Sequence, residues 1–149
     1  MKYAWYPGCV AQGGCPELFT ATLAVADKLG LELIELKEAA CTGAGVLTER
    51  NPELADTLNA RTFAMAEQLG LPIMTICSTC QGVMSASNYK LTNDPEYLAK
   101  INASLAEEGL QYKGTTTISH LLWVIVEDLG LDKLKPLVKR PLSGVKIAP

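Results

Sequence analysis

Apolar positions along the chain change period several times, and each change marks an element. Lys2-Tyr3-Ala4-Trp5-Tyr6 is a run of strand-forming residues closed by Pro7-Gly8 and predicts a first strand. From Pro16 the spacing lengthens: Leu18, Thr22, Val25 and Leu29, widened by Phe19 and Leu23, recur at helical intervals up to Gly30. Leu31 to Leu36 reads as a second strand. Asn51-Pro52 forms an N-cap and first-turn pair for a long helix carrying Leu54, Leu58, Met65 and Leu69 on its stripe and ending at Gly70. Pro72 to Ile76 is a third strand. A shorter helix starts after Ser78, and Asp94-Pro95 opens another through Tyr97, Leu98, Ile101 and Leu105 to Gly109. Thr115 to Ile118 predicts a fourth strand, and Leu121 to Leu129, apolar on nearly every side, a buried helix. Leu131 to Leu142 is a weak helix interrupted by Pro136, and Gly144 to Pro149 begins as a strand would.

The pairs Gly30-Leu31, Gly70-Leu71, Gly109-Leu110 and Gly130-Leu131 recur at predicted helix ends, where glycine takes the left-handed cap and leucine turns back onto the core. Strands alternating with helices predict an α/β layered fold with a mostly parallel sheet and helices on both faces, because parallel neighbours need crossover connections. The carboxyl ends of parallel strands share one edge. Loops after strands near residues 2–6, 31–36, 72–76 and 115–118 therefore converge there.

Composition narrows the function classes. A chain of 149 residues, 48% hydrophobic and 19% charged, is ordinary globular material for one domain. A net charge of −3 with scattered Lys and Arg gives no field for nucleic acid. The longest strongly apolar run, Leu121 to Val126, is far below the roughly 20 residues of a transmembrane segment, and the N-terminus lacks a signal peptide's apolar core. The expectation is a cytoplasmic domain. Carboxylates form no convergent pair for hydrolysis, and Tyr-Pro-Gly-Cys after the first strand is not a phosphate-binding glycine fingerprint. His120 reads as part of a helix start, and Trp5, Tyr6 and Trp123 as core or interface anchors.

The five cysteines carry the chemistry. Cys9 follows the first strand, Cys41 the second, Cys77 the third, and Cys80 completes a C-x-x-C between strand and helix, where backbone N–H groups favour thiolates. A thioredoxin-like dithiol would use Cys77 and Cys80 alone. Cys9 and Cys41 on the same edge favour a metal, and four soft thiolates suit either tetrahedral zinc or an iron–sulfur cluster. Cys15, before the first helix, lies outside this set and is left with three readings: a substitute ligand, a partner for Cys9, or an ordinary helix-start thiol.

Tyr-Pro-Gly-Cys9, Cys41-Thr42-Gly43 and Cys77-x-x-Cys80 resemble the cysteine-rich CCG domain of the heterodisulfide reductase B-subunit family, which also occurs in atypical succinate dehydrogenase and glycolate oxidase iron–sulfur subunits. Thirty-one residues separate Cys9 from Cys41, and 33 separate Gly43 from Cys77, close to the family's spacing. The resemblance implies a single CCG-type domain over 1–149, the N-terminal half of a two-domain subunit. It further implies an electron-transfer role within a multisubunit oxidoreductase and no activity of this half alone. Cys9, Cys41, Cys77 and Cys80 would hold a cluster of the 4Fe-4S type, the alternative being a structural zinc module that mediates subunit contacts. The implied partners are a flavoprotein, a ferredoxin-like iron–sulfur subunit and the second CCG domain, and through them the inner face of a membrane. Thr42 stands where the family has its second cysteine, which removes one ligand of the five-cysteine noncubane cluster some members hold. Its expected role is to cap a turn.

Overall fold

The structure, a computed structural model, describes residues 1–146. Strand β1 (Lys2–Tyr6) lies between β2 (Glu32–Glu35) and β3 (Ile73–Thr75), with β4 (Ile118–His120) outside β3, and every pair is parallel. Side chains of β1 alternate between faces, and both faces are covered. Ala4 and Tyr6 join a cluster with Phe63, Met84, Leu91 and Ile101, while Tyr3 and Trp5 join Ala26, Leu31, Met74 and Val124. The expected layered α/β fold, with a parallel sheet and helices on both faces, is what the chain adopts.

Helix α1 (Pro16–Leu29) packs on the Trp5 face, and its aromatic anchor Phe19 meets the Trp5 ring at 4.6 Å between centroids. A short α2 (Val46–Arg50), which the sequence pattern does not predict, precedes α3 (Pro52–Leu69), α4 (Ser78–Asn93) and α5 (Pro95–Leu105), and the last three cover the opposite face. Asn51 and Asp94 cap as expected, each side chain accepting an N–H three residues on at 3.1 and 2.9 Å. The buried Asp56 of α3 accepts from Ser87 at 2.5 Å and Lys90 at 3.1 Å, both on α4, and from Tyr97 of α5 at 2.9 Å, which ties the three helices together.

Several expectations need correction. The stripes predicted on α1 and α3 bury only in part: Thr22 is buried and Phe19, Leu29 and Met65 pack against the core, but the other leucines and Val25 do not. Leu18, Leu23, Val25, Leu54 and Leu69 are exposed, and Thr22 and Ala26 on α1 and Ala55, Asn59, Ala60, Phe63, Ala64 and Ala66 on α3 face inward. Small side chains allow these helices to lie close to their neighbours. Strand β4 begins later than predicted because Glu67 accepts the backbone N–H groups of Lys113 and Thr115 and the Thr115 hydroxyl, so Ile73 first meets the sheet edge at the Thr117 carbonyl. Helix α4 runs 16 residues, longer than expected, up to the cap of α5.

Gly30, Gly70 and Gly109 end their helices left-handed, with the following leucine N–H returning to the last turn. Gly130 does not: its ψ of 141° is extended, and the chain passes from α6 (Leu121–Trp123) and a π-helical turn (Val124–Gly130) into α7 (Leu131–Leu134). This stretch buries only one side, through Val124 and Leu129, while Leu122, Trp123 and Val126 face outward. The helix expected over 131–142 ends within a 3₁₀ turn at Leu137, as Pro136 dictates. Residues 144–146 form no strand, and the rest of that expected strand lies outside the described residues.

Candidate metal centre

The sheet order β2-β1-β3-β4 reverses direction between β1 and β3, so the crossovers leave those two strands toward opposite faces and open a crevice at their carboxyl ends. The loop after β1 and the start of α4 meet in that crevice. Gly8, buried, turns the chain with φ of +82°, and a Cβ at that position would stand 3.5 Å from Cys77 Cβ and 3.5 Å from Cys80 Sγ. Those are ordinary van der Waals distances, so it is the left-handed φ that calls for glycine at this turn, which brings the backbone against both sulfur-bearing residues.

Cys77 caps α4: its Sγ accepts the Cys80 N–H at 3.3 Å, which stations the two residues one turn apart at a helix start. Cys77 is half-buried and Cys80 buried. Burial pushes the Cys80 thiol up to about 12; the Cys77 side chain adds to that through its hydrogen bond and charge, the Thr42 hydroxyl opposes it, and the Cys9 charge raises it further. Tyr6 sits beneath the cluster. Its hydroxyl titrates well above the usual tyrosine range, first from burial, then from the charges of Cys80 and Cys41, with the Thr42 backbone acting the other way and Cys9 adding a smaller rise. The charges of Cys9, Cys41 and Cys80, which come from the β1 loop, the β2 loop and the first turn of α4, thus all reach this hydroxyl.

The β2 loop is held by two buried contacts. Tyr6 donates to the Ala40 carbonyl at 2.9 Å, and Asn59 of α3 donates to the Thr42 carbonyl at 3.0 Å and to Ala55 at 2.8 Å. Cys41 between them is exposed. Gly43 has φ of +77°, and a Cβ there would fall 2.9 Å from Leu47 Cβ, so the Cys41-Thr42-Gly43 turn requires glycine. Thr42 does not cap a turn. It is 1% exposed, and its hydroxyl has no hydrogen-bond partner among the described residues, although it lies near enough to Cys80 to act on that thiol. An unpaired buried hydroxyl costs about 1–3 kcal/mol, so the position calls for an explanation.

Cys15 stands apart. It is half-buried at the start of α1 beyond a π-helical turn (Val10–Gly14), and its side chain caps nothing. Among the described residues no three His, Cys, Asp or Glu side chains lie close enough together to hold one ion as they stand. Loading would therefore draw in the exposed Cys9 and Cys41, the two thiols on loops. The donor set fits a thiolate-bound metal: soft sulfur ligands, a glycine cradle and a helix start with free N–H groups. Sequence reasoning missed Asn59, whose signal was a polar residue on the inward face of α3.

Beside the C-x-x-C, Ser78, Gln81, His120, Leu122, Trp123 and Val126 line a groove of about 530 Å³. His120 caps α6 through Nδ1, which accepts the Leu122 N–H at 3.2 Å, as its helix-start reading implies. Leu122 and Trp123 are 63% and 52% exposed, so a large apolar surface flanks the cysteine edge. Among the described residues no helix is long and apolar enough to cross a membrane.

Comparison with known proteins agrees with this geometry. A crystal structure of a hypothetical protein from Helicobacter pylori superposes with a TM-score of 0.74 at 19% identity, covering 83% of this chain and 25% of that one, and supports the fold. The chain is 35% identical over 147 residues to the 8-methylmenaquinol:fumarate reductase membrane anchor subunit of Wolinella succinogenes. It is 32% identical over 148 residues to the B subunit of the ferredoxin/F(420)H(2)-dependent CoB-CoM heterodisulfide reductase of Methanosarcina acetivorans. The alignments take in 99% of this chain, which spans about half the length of these relatives, 50% and 49% respectively. Residues 3–85, which contain all five cysteines and the whole β1–β3 crevice, match the cysteine-rich CCG domain, and the chain belongs to that family.

Proposed function

We propose that the chain is an electron-transfer module of a multisubunit reductase, in which Cys9, Cys41, Cys77 and Cys80 hold an iron–sulfur cluster of the 4Fe-4S type. The observation that carries this reading is the C-x-x-C at the start of α4, where Cys77 Sγ accepts the Cys80 N–H and the β1 loop turns against both residues at Gly8. Such a cluster, when bound, supplies a one-electron carrier. The chain's own residues do the rest: the α4 N-terminus presents N–H groups to anionic sulfur, Asn59 fixes the β2 loop, and Tyr6 and Leu36 keep water from the inner side. The relatives are named as subunits of reductases, and the exposed apolar surface at Leu122, Trp123 and Val126 suits docking of a flavoprotein, a ferredoxin-like subunit or a second CCG domain. In that arrangement this half has no activity of its own, and any membrane association runs through its partners.

A second reading is a structural zinc module. Thr42 favours it, because replacement of a cysteine leaves four thiols, the number tetrahedral zinc takes. Zinc has no redox chemistry, which weighs against it in a relative of reductases. Anaerobic purification followed by metal and sulfide analysis separates the two. Iron and sulfide in equal amounts, with a brown colour, support the cluster; stoichiometric zinc without sulfide supports the second reading; neither metal overturns both.

A further inference from the structure

We infer that Tyr6 and Asn59 are positioning residues for the metal centre: they pin the chain on both sides of Cys41 and tie it to the Gly8 turn, so that the Cys41 sulfur is set in place before a metal arrives. The inference rests on the assignment of Cys41 as a ligand and names what places that ligand.

Tyr6 ends β1, and its buried side chain donates to the Ala40 carbonyl at 2.9 Å. Its ring lies beside the Gly8 turn, with Cε1 3.9 Å from where a Cβ on Gly8 would stand. One rigid side chain thus meets the residue before Cys9 and the residue before Cys41. On the other side of Cys41, Asn59 donates to the Thr42 carbonyl at 3.0 Å. With the backbone held at residues 40 and 42, the exposed Cys41 side chain keeps little freedom beyond χ1, which has three staggered wells. The ordering cost of bringing this sulfur to a metal is met in advance.

Core packing alone does not account for these contacts. Asn59 is buried between Ala55 and Phe63 on the inward face of α3, where an apolar side chain would fill the space without burying polar atoms. Apart from Thr42 it donates only to the Ala55 carbonyl one turn back in its own helix, and its Oδ1 has no partner among the described residues. The Thr42 hydroxyl is a second orphan at the same junction. Two unpaired buried polar atoms lower stability, and local costs of this kind gather where a site, and not the fold, sets the residues.

Three variants of the full chain, loaded anaerobically with iron and sulfide beside wild type, test the inference. Tyr6→Phe removes one clamp and keeps the ring, and Asn59→Leu removes the other. Ser87→Ala deletes a buried hydroxyl that donates to Asp56, about two turns beyond Cys80 on α4. The readouts are visible circular dichroism, which arises from the centre and follows the setting of its ligands, and the rate at which a chelator strips iron. Tyr6→Phe and Asn59→Leu should each alter the spectrum and release iron up to about tenfold faster, the factor one lost hydrogen bond supplies. Ser87→Ala should lose stability yet keep the wild-type spectrum and rate. In the metal-free chain, hydrogen exchange over residues 40–43 should quicken in the two clamp variants only. Should Asn59→Leu not fold, Tyr6→Phe, which keeps its ring in the core, carries the test. Wild-type spectra and release rates in the clamp variants overturn the inference and leave the ligand assignment standing. Equal changes in Ser87→Ala overturn it too, since the effect is then one of general stability. Full iron occupancy in Cys41→Ser, or no iron uptake by wild type, overturns the ligand assignment and the inference with it.

Discussion

Ala4 and Tyr6 face a side of the sheet where α3, α4 and α5 are locked by an apolar cluster and by one buried carboxylate with three donors. A few residues beyond β1, the chain enters a region of another kind: loops 8–15 and 41–47 carry exposed thiols and are held by a few hydrogen bonds, such as Asn59 to Thr42, with little apolar packing. The first region is complete in itself. The second brings thiol-bearing loops toward one edge, with an orphaned hydroxyl at Thr42 and a glycine turn at Gly8. The contrast predicts that fold and centre are separable, the core standing without metal and the order of the loops depending on it.

Asp56 offers the most severe challenge to this division. Asp56→Ala strips Ser87, Lys90 and Tyr97 of their common acceptor and should lower unfolding stability by about 3 kcal/mol, equally with and without metal, in denaturant titrations. A loss that appears only in the loaded protein would show that the helical side depends on the centre. Gly8→Ala comes next. Its left-handed φ of +82° makes the change cost about 1–2 kcal/mol, and the added Cβ enters the crevice, so metal uptake should fall as well. Gly13→Ala, which meets nothing within 4 Å, serves as the control and should stay within about 0.5 kcal/mol of wild type.

Metal removal probes the same division without mutation. Hydrogen exchange should accelerate in 8–15 and 41–47 and stay unchanged in α3, α4 and α5; equal acceleration in both regions would erase the distinction. In air, the metal-free chain should lose two hydrogens by mass as Cys77 and Cys80, the local pair, form a disulfide. The smallest effect belongs to Trp123→Ser, which should change stability by no more than about 0.5 kcal/mol, because that ring packs on solvent. A large loss would mean that this surface belongs to the core.

Legibility in the sequence followed the same division. The alternation of strands and helices, the caps at Asn51 and Asp94 and the shared edge for the cysteines were readable because they rest on local chemistry and on the rule that parallel strands need crossovers. The inward faces of α1 and α3 were not, since periodicity weights leucine, and the close approach of these helices is made by Ala26, Ala60, Ala64 and Ala66. The start of β4 was hidden because Glu67, 46 and 48 positions away, captures the N–H groups of Lys113 and Thr115. Thr42 was readable as a departure from a cysteine pattern, but its unpaired hydroxyl and its tether to Asn59 are tertiary facts that no local window contains.

The central claim is that thiols from three separate loops hold one centre, and Cys41 tests it most directly because it lies on a different loop from the C-x-x-C pair and is exposed. Iron and sulfide content should be measured after anaerobic loading of wild type and Cys41→Ser, with far-ultraviolet circular dichroism recorded on both. The expected result is about four iron and four sulfide in wild type, their loss in Cys41→Ser, and superimposable helical spectra. Full iron occupancy in Cys41→Ser would contradict the claim and would move the missing ligand to Cys15.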